Sequence, residues 1–407
     1  MPHSSIVAGL DIGTNSTKII ICHKKFKEEN LQVLGTGETV SSGIRKDVVV
    51  DIEKAAETIK NALSIAQESS GQKVDSVYVN IGGGHIFVTS SHGLISVSRA
   101  DQKISETDIE RVIQAAQTFS LPPNREILEV FPKEFIVDGE KGIKEPLGMQ
   151  GVRLEAEILA LCGFSPFIKN LTQAVLSADL HINDLVPSPL ASARAVLNPR
   201  QRELGVAVLD IGAGTTGLAV FEEGTLIHTS VFPVGSANIT SDIAIGLKTD
   251  IDTAEKIKLE FGSCIYTKSY KKGKISIPST ENHLVFSQKM LVDIVEARVS
   301  EIFDLAQKEL KKISRAGLLP AGIVLTGGGA KLPKIVDLAK KELKLPARIG
   351  VAEGFFPTQE DPSLSTVCGL VLGAADSLET GEGFPLFFAF GKNLGNKIKK
   401  IFRIFIP

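Results

Sequence analysis

Cysteine is scarce in this sequence, and the four residues present lie far apart. Cys22, Cys162, Cys264 and Cys368 each have apolar neighbours, and neither a Cys-x-x-Cys pair nor a Cys/His metal spacing occurs. The sequence therefore indicates neither a zinc site nor a disulfide framework. We expect reduced, buried thiols in a cytosolic protein.

Net charge and long apolar runs are also lacking. The 407 residues include 45 basic and 47 acidic side chains, so the overall field gives no reason to expect nucleic acid as a partner. No apolar run is long enough to cross a bilayer, and no signal peptide pattern opens the sequence. The composition, 43% hydrophobic and 23% charged, is typical of a globular protein, and the length predicts two or more domains.

Two stretches of the sequence are near copies of each other, at residues 7–18 and 206–217. In each copy an apolar run ends in Asp-Ile-Gly, small polar or glycine residues follow, and a second apolar run begins. The first copy carries Asp11 and the second carries Asp210. This pattern predicts a strand, a tight turn and a second strand, with glycine at the turn.

The two predicted turns suit an anion and a cation together. A tight turn presents backbone N–H groups and hydroxyls to an anion, and an aspartate at the end of a strand suits a hydrated divalent cation. A single Asp-x-Gly-Thr is most often only a hairpin turn. Two copies, each opening one half of the chain, favour a phosphate tail held from both sides.

A third motif follows an apolar run at residues 321–325. It reads Thr326-Gly327-Gly328-Gly329-Ala330, and a helix is predicted after it. Glycines at such a point allow a flat ligand to lie against the backbone. The alternative for this segment alone is a strand-to-helix loop without a ligand.

The three motifs, in this order and at these separations, resemble those of the actin/Hsp70/sugar-kinase ATPase superfamily, and within it those of the FtsA family of bacterial cell-division proteins. The resemblance covers nearly all of the chain. It implies an α/β, actin-like two-domain ATPase fold with duplicated Asp-x-Gly hairpins, an inserted small α+β subdomain and a C-terminal amphipathic helix.

The resemblance also implies a division of the chain. The first actin-like domain is expected from residues 1–84, 164–199 and a return helix at 363–379, with the inserted subdomain at 85–163. The second is expected from 200–242 and 313–362, with a small subdomain at 243–312, and a linker at 380–390 leads to the terminal helix at 391–407. The insert is expected to hold a helix over residues 106–116, begun by Ser105 and Asp108.

The resemblance assigns ATP and Mg²⁺ to specific residues. Asp11 and Asp210 are expected to hold Mg²⁺ through water. The predicted phosphate-binding residues are Gly13, Thr14, Asn15, Ser16, Thr17, Lys18, Gly212, Ala213, Gly214, Thr215 and Thr216. The predicted adenosine-binding residues are Glu255, Lys258, Gly327, Gly328, Gly329 and Ala330. Glu255 and Lys258 share one face of a helix predicted over residues 251–261, and a surface ion pair is the alternative for them.

Hydrolysis is expected to be weak at most. A helix is predicted over residues 185–197, with Pro189 in its first turn. Relatives in the superfamily often place Glu or Gln there, near the γ-phosphate, whereas this sequence offers Ser188. A hydroxyl without a base activates water poorly, so the catalytic residue stays unknown.

The end of the sequence predicts attachment to a lipid surface. Over residues 392–407 the apolar positions Leu394, Ile398, Ile401, Phe402 and Phe405 share one helical face. The other face is basic and contains no acidic residue; its cations include Lys397, Lys400 and Arg403. A basic amphipathic helix is typical of an interfacial anchor on anionic lipid, and docking on the protein body is the alternative.

Together these features predict an ATP-binding, actin-like protein on the cytoplasmic face of the cell membrane at the division septum. By resemblance it forms a homopolymer, binds the C-terminal tail of FtsZ, with Arg298 as a contact, and recruits other division proteins. An actin-like ATPase of type IV pilus assembly and a small-molecule kinase of the same superfamily are the alternatives. A kinase would need an acidic general base in the cleft, and the sequence does not reveal one.

Overall fold

The computed structural model describes residues 5–25, 28, 30–98, 100–267, 274–278 and 283–380. The predicted linker beyond residue 380 and the predicted membrane-binding residues 394–405 lie outside the described residues. Within those residues, none of the helices combines the length and apolar character needed to cross a bilayer.

A six-stranded sheet contains the first of the duplicated stretches. Its strand order is β11-β6-β1-β2-β3-β19. These strands are β1 Ser5–Ile12, β2 Ser16–Lys24, β3 Leu31–Val40, β6 Ser76–Ile81, β11 His181–Pro187 and β19 Phe355–Phe356. Strands β1 and β2 pair as an antiparallel hairpin, and β6 lies parallel to β1. Leu10 and Ile19 are fully buried between the sheet and its helices.

Among the described residues, four helices pack against this sheet: α1 Ile52–Ser70, α3 Ser165–Ser177, α4 Ser188–Val196 and α10 Ser365–Thr380. The short α5 Pro199–Leu204 packs against the second duplicated hairpin. The Asp51 side chain caps α1, as its sequence predicts, and Gly71 ends it with a φ of 66°. The helix predicted over 185–197 begins only at Ser188, because residues 185–187 complete the parallel strand β11 beside β6. Gly369 of α10 packs directly on the backbone of Ala191 in α4.

A five-stranded sheet contains the second duplicated stretch, in the order β14-β13-β12-β17-β18. Its strands are β12 Val206–Ile211, β13 Thr216–Glu222, β14 Thr225–Phe232, β17 Ile323–Thr326 and β18 Ala347–Ile349. Here β12 pairs with β13 as a hairpin and with β17 in parallel, which repeats the arrangement of β1 with β2 and β6. The two near copies thus occupy equivalent places in two sheets.

The remaining elements of the second half lie around this sheet. Its helices are α6 Ser236–Leu247, α7 Ile251–Phe261, α8 Gln288–Lys312 and α9 Ile335–Leu343. Strands β15 Lys274–Pro278 and β16 His283–Ser287 form a separate hairpin. The glycine motif continues into a 3-10 helix at Gly328–Lys331, and a second one at Pro362–Leu364 directly precedes α10.

The segment between the two parts of the first sheet forms a four-stranded sheet with a core of its own. The strands are β7 Phe87–Ser96, β8 Arg125–Val137, β9 Glu140–Ile143 and β10 Arg153–Phe164, in the order β7-β10-β8-β9, and one helix, α2 Glu106–Ala116, covers them. Ser105 and Asp108 form the capping box at the start of α2. Val112 and Phe135 are buried in this separate core.

A small hairpin follows β3 and precedes α1. The alternation over residues 44–50 indicates strand, and the structure divides it into β4 Ile44–Arg45 and β5 Val48–Val49. Lys46 and Asp47 form the turn between them, with φ values of 50° and 58°. Positive φ at both central residues is the feature of a type I′ turn, where Asn-Gly is the usual sequence.

Candidate functional site

The turns of the two duplicated hairpins lie side by side and line one cavity of about 430 Å³. In each turn the glycine N–H donates to a carbonyl three residues later, Gly13 to Ser16 at 3.2 Å and Gly212 to Thr215 at 2.9 Å. A Cβ placed on Gly214 would lie 2.5 Å from Thr14 Oγ1, so the two turns are in contact. Residues 200 positions apart in the sequence therefore form one wall.

Most of the predicted site residues line this cavity. They are Asp11, Gly13, Thr14, Asn15, Ser16, Lys18, Asp210, Gly212, Ala213, Thr215, Glu255, Lys258, Gly327, Gly328 and Gly329. Four predicted residues, Thr17, Gly214, Thr216 and Ala330, are not part of the lining.

The predicted threonines outside the lining have structural partners. Thr17 is fully buried and shares a hydrogen bond of 3.0 Å with the hydroxyl of Ser41. Thr216 is fully buried and donates to the carbonyl of Val234 at 2.8 Å. Each threonine belongs to the residue pair of its hairpin that lies nearest the turn, so these side chains fix the shape of the turns.

Asp11 is buried and Asp210 is largely buried at the floor of the cavity, and each has hydrogen-bond donors around it. Asn80 Nδ2 donates to Asp11 Oδ1 at 2.8 Å, while Asn80 Oδ1 accepts from the N–H of Ile12 at 2.7 Å. Thr366, at the start of α10, donates to Asp210 Oδ2 at 3.1 Å. These contacts hold both carboxylates at the ends of β1 and β12.

Burial raises the pKa of both carboxyl groups. The pKa of Asp11 rises to about 7, because burial outweighs the attraction of Lys18. The pKa of Asp210 rises to about 6, again through burial, although hydroxyl groups that bond to it act in the opposite direction. The nearby carboxylates of Asp210 and Asp47 also raise the pKa of Asp11, and that of Asp47 raises the pKa of Asp210, so the site favours a cation.

The described residues contain no cluster of three or more His, Cys, Asp or Glu side chains that would hold a metal directly. Two carboxylates in one polar cavity suit Mg²⁺, which keeps several waters and takes one or two carboxylates together with phosphate oxygens. Lys18 also lines the cavity, and its ammonium lies 3.7 Å from the half-exposed carboxylate of Glu38.

The opposite end of the cavity is formed by α6, α7 and the glycine motif. Lys258 is buried and lies 2.7 Å from Glu255, one turn earlier on α7. Thr240 joins this pair, because it bonds to the Glu255 carboxylate and accepts from Lys258 Nζ at 2.9 Å. Lys258 is thus buried while the Glu255 side chain is 41% exposed, so the pair lies at the edge of the cavity with one partner open to solvent.

The three glycines have different surroundings. Gly327 has a φ of 81°, and a Cβ there would collide with the Asp210 carboxylate. A Cβ on Gly329 would meet the side chain of Ile211. At Gly328, in contrast, the nearest neighbour within reach is Ser363 Cβ at 3.9 Å, so the bare backbone of this residue faces open space.

Several lining residues carried no sequence signal that pointed to the site. Asn80 ends a strand, Ser363 and Thr366 flank the start of α10, and Asp47 lies in the turn between β4 and β5. A kinase would require an acidic group in the cleft, and the structure places the Asp47 carboxylate there. That carboxylate bonds to Thr14 and Thr215, one residue from each duplicated turn.

Ser188 lines the cavity at the start of α4, as the resemblance implies. Its hydroxyl donates to the carbonyl of Ile81 at 3.2 Å and accepts from Asn80 Nδ2 at 3.1 Å. The Ser188 hydroxyl is therefore engaged both with the backbone and with Asn80.

Arg298, the predicted partner contact, lies on α8 away from this cavity. Its guanidinium forms a bidentate contact with the Asp242 carboxylate of α6, with Nε 2.6 Å from Oδ2 and Nη2 2.9 Å from Oδ1. The guanidinium also contacts Glu301. Its attachment to Asp242 ties α6 to α8.

Comparisons of sequence identify relatives of the chain. The family model described as "Cell division protein FtsA" matches residues 207–369, and that described as "SHS2 domain inserted in FTSA" matches residues 83–162. The cell division protein FtsA of Pseudomonas aeruginosa is 36% identical over 373 residues, which are 90% of this chain and 88% of the relative. The FtsA of Bacillus subtilis is 36% identical over 335 residues, 82% and 76% of the two chains.

Comparisons of structure show the fold. The PilM-PilN type IV pilus biogenesis complex matches with a TM-score of 0.63 and 16% identity, over 90% of this chain and 97% of that one. MreB5 of Spiroplasma citri bound to ADP matches with a TM-score of 0.56 and 13% identity, over 92% and 98%. These likenesses confirm the predicted actin-like α/β fold, and the matched SHS2 segment confirms the inserted subdomain.

Proposed function

The chain belongs to the FtsA family of cell-division proteins, and from this premise we propose that it binds ATP with Mg²⁺ between its two duplicated hairpins. One observation carries the proposal: both turns, the two aspartates, the Glu255–Lys258 pair and the glycine motif line one cavity of about 430 Å³. Ligand cavities of a few hundred Å³ accommodate molecules of nucleotide size. The alternative, an actin-like ATPase of pilus assembly, is supported only by a likeness of fold to a solved structure at 16% sequence identity.

The phosphates would lie against the turns at residues 13–16 and 212–215. Their backbone N–H groups and hydroxyls suit anionic oxygens, and Lys18 adds a cation on the same side. Mg²⁺ would lie between the phosphates and the carboxylates of Asp11 and Asp210, where it neutralises charge that burial disfavours. Asn80 and Thr366 orient these carboxylates, and such support commonly affects metal affinity by tenfold or more.

The adenosine would lie between α7 and the glycine motif. Gly328 presents backbone without a side chain, and the buried Lys258 and its partner Glu255 supply polar groups for the sugar and base. Hydrolysis is weak at most in this proposal, because position 188 offers a hydroxyl, which is a poor base for activating water. Binding, rather than turnover, would then hold the two halves of the molecule together.

Titration calorimetry tests the site. Mg²⁺·ATP should bind to the wild-type chain, and Asp210→Ala should weaken binding by about tenfold or more. Asp252→Ala is the matched control, since Asp252 lies on the exposed first turn of α7. Equal affinity of the Asp210 variant and the control variant would contradict the site.

The proposal extends to the membrane, where this protein would polymerise on the cytoplasmic face at the septum. The basic amphipathic pattern of residues 392–407 supports binding to anionic lipid, and each cation near such a surface contributes about 1 kcal/mol. A single helix of this length binds weakly, so a homopolymer would strengthen attachment through many anchors. Sedimentation with anionic vesicles should retain the full chain and lose a chain without residues 392–407. Retention of both would contradict the anchor.

FtsZ and later division proteins are the proposed partners. The acidic C-terminal tail of FtsZ would bind the small subdomain near α8, where Arg298 supplies a cation. The Arg298 side chain is about one quarter exposed and already faces Asp242 and Glu301. A contact with the tail would therefore share this guanidinium or rearrange the cluster.

A further inference from the structure

Asp47 connects the two duplicated hairpins within the cleft. Its Oδ1 accepts from the N–H of Thr14 at 3.0 Å and from the Thr14 hydroxyl at 2.6 Å. Its Oδ2 accepts from the hydroxyl of Thr215, in the other turn. The backbone N–H of Asp47 also donates to Thr14 Oγ1 at 2.9 Å. One carboxylate thus takes donors from both halves of the molecule.

The turn that carries the Asp47 carboxylate has an unusual sequence for its backbone conformation. Lys46 and Asp47 both have positive φ, 50° and 58°, in a two-residue turn for which Asn-Gly is the common sequence. Backbone of this kind persists in a non-glycine residue when the surroundings hold it there, and it often lies at sites of ligand binding. The contacts that hold Asp47 here are those of its side chain with the two turns.

The donors bonded to Asp47 are those that an anionic ligand of this cleft would need. The Thr14 N–H, the Thr14 hydroxyl and the Thr215 hydroxyl all point to one small volume between the turns. A carboxylate and a phosphate are both anions with acceptor oxygens, so they compete for the same donors and repel each other. Gly82 packs closely against Asp47, since a Cβ on Gly82 would be 2.9 Å from Asp47 Cβ.

We propose that Asp47 is an internal competitor for the terminal phosphate of a nucleoside triphosphate, and that it sets how strongly the cleft prefers a triphosphate to a diphosphate. The inference rests on the proposed nucleotide site. Entry of the terminal phosphate between Thr14 and Thr215 requires the β4–β5 hairpin to withdraw the carboxylate. A diphosphate leaves this volume empty, and Asp47 keeps its contacts.

The test uses Asp47→Asn in the full chain. Asparagine accepts positive φ well, so the turn is retained while the charge is removed. Affinities for Mg²⁺·ATP and Mg²⁺·ADP are measured by titration calorimetry for the wild type, for Asp47→Asn and for Asp47→Gly. We expect both variants to bind ATP about tenfold more tightly, with a change in ADP affinity of less than about twofold, so the preference for ATP rises.

Glu53→Gln is the matched control. It removes the same charge from an exposed position in the first turn of α1, six residues from Asp47, and should leave both affinities unchanged. Thermal denaturation of each variant verifies that it is folded.

The outcomes separate this inference from the proposed site. If the wild type and all variants bind neither ATP nor ADP, the proposed site itself is refuted. If nucleotides bind but Asp47→Asn leaves the ATP-to-ADP preference unchanged or lowers it, the role of Asp47 is refuted and the nucleotide site stands. A gain shared equally by ATP and ADP also contradicts competition with the terminal phosphate.

Discussion

Replacing Asp11 by asparagine should change how the stability of the protein depends on pH. Burial raises the pKa of Asp11 from 3.8 to about 7 in the folded protein. Between these values the folded state holds a proton that the unfolded chain has released. The free energy of unfolding of the wild type therefore falls as the pH rises from about 4 to about 7, and the contribution of this group is constant above that range.

The size of the effect follows from the pKa difference. One pKa unit corresponds to about 1.4 kcal/mol, and the difference of about 3 units gives about 3 to 4 kcal/mol between pH 4 and pH 8. Asparagine cannot ionise, so the variant lacks this dependence. The difference between the two proteins isolates Asp11 from the other titrating groups, provided that Asp210, whose pKa is also raised, behaves alike in both.

The assay is urea denaturation of both proteins at several pH values, without nucleotide and with a chelator present. The wild type should lose stability relative to Asp11→Asn as the pH rises, and added Mg²⁺·ATP should reduce this loss because the cation favours the ionised carboxylate. A stability difference that is independent of pH would refute the buried, neutralised carboxyl group. A difference that changes in the opposite direction would also refute it.

Three further predictions concern the glycine motif, α8 and the end of the chain. Gly328→Val should weaken ATP binding by about tenfold with little change in stability, since its Cβ enters open space. Gly327→Ala should destabilise the fold by about 2 to 4 kcal/mol because of its positive φ and its contact with Asp210. Calorimetry and denaturation separate the two effects, and an equal loss of ATP affinity without destabilisation in both variants would contradict this prediction. Arg298→Ala should reduce binding of an acidic FtsZ tail peptide, with Lys308→Ala as an exposed control on the same helix; unchanged binding would exclude Arg298. Ile401→Glu should release the full chain from anionic vesicles while Lys308→Glu should not, and release by neither would count against the apolar face of the tail.

The duplicated hairpins were predictable because their signal is local. Each copy runs through a strand and a turn into the start of a second strand, and the two strands pair as an antiparallel hairpin. The capping box of α2 and the bounds of α7 follow from similarly local patterns. The duplication of this local pattern also indicated that the two hairpins hold one phosphate tail together, and the resemblance added the nucleotide and the fold.

Other features depended on contacts between distant parts of the chain. Residues 185–187 fit a helix by periodicity, but the free edge of β6 extends them into strand β11. Thr17 and Thr216 belong to the matched turns, yet they point into the packing behind the cavity. Asp47 lies in the cleft only because the β4–β5 hairpin reaches both duplicated turns. Nothing in the sequence of residues 44–50 indicates that these turns are its partners.

The most direct test of the account is a crystal structure of the protein with Mg²⁺ and a non-hydrolysable ATP analogue. The account predicts phosphates between residues 13–16 and 212–215, Mg²⁺ joined through water to Asp11 and Asp210, and the base between α7 and Gly328. A cleft left vacant under saturating nucleotide, or a nucleotide bound elsewhere on the molecule, would contradict it.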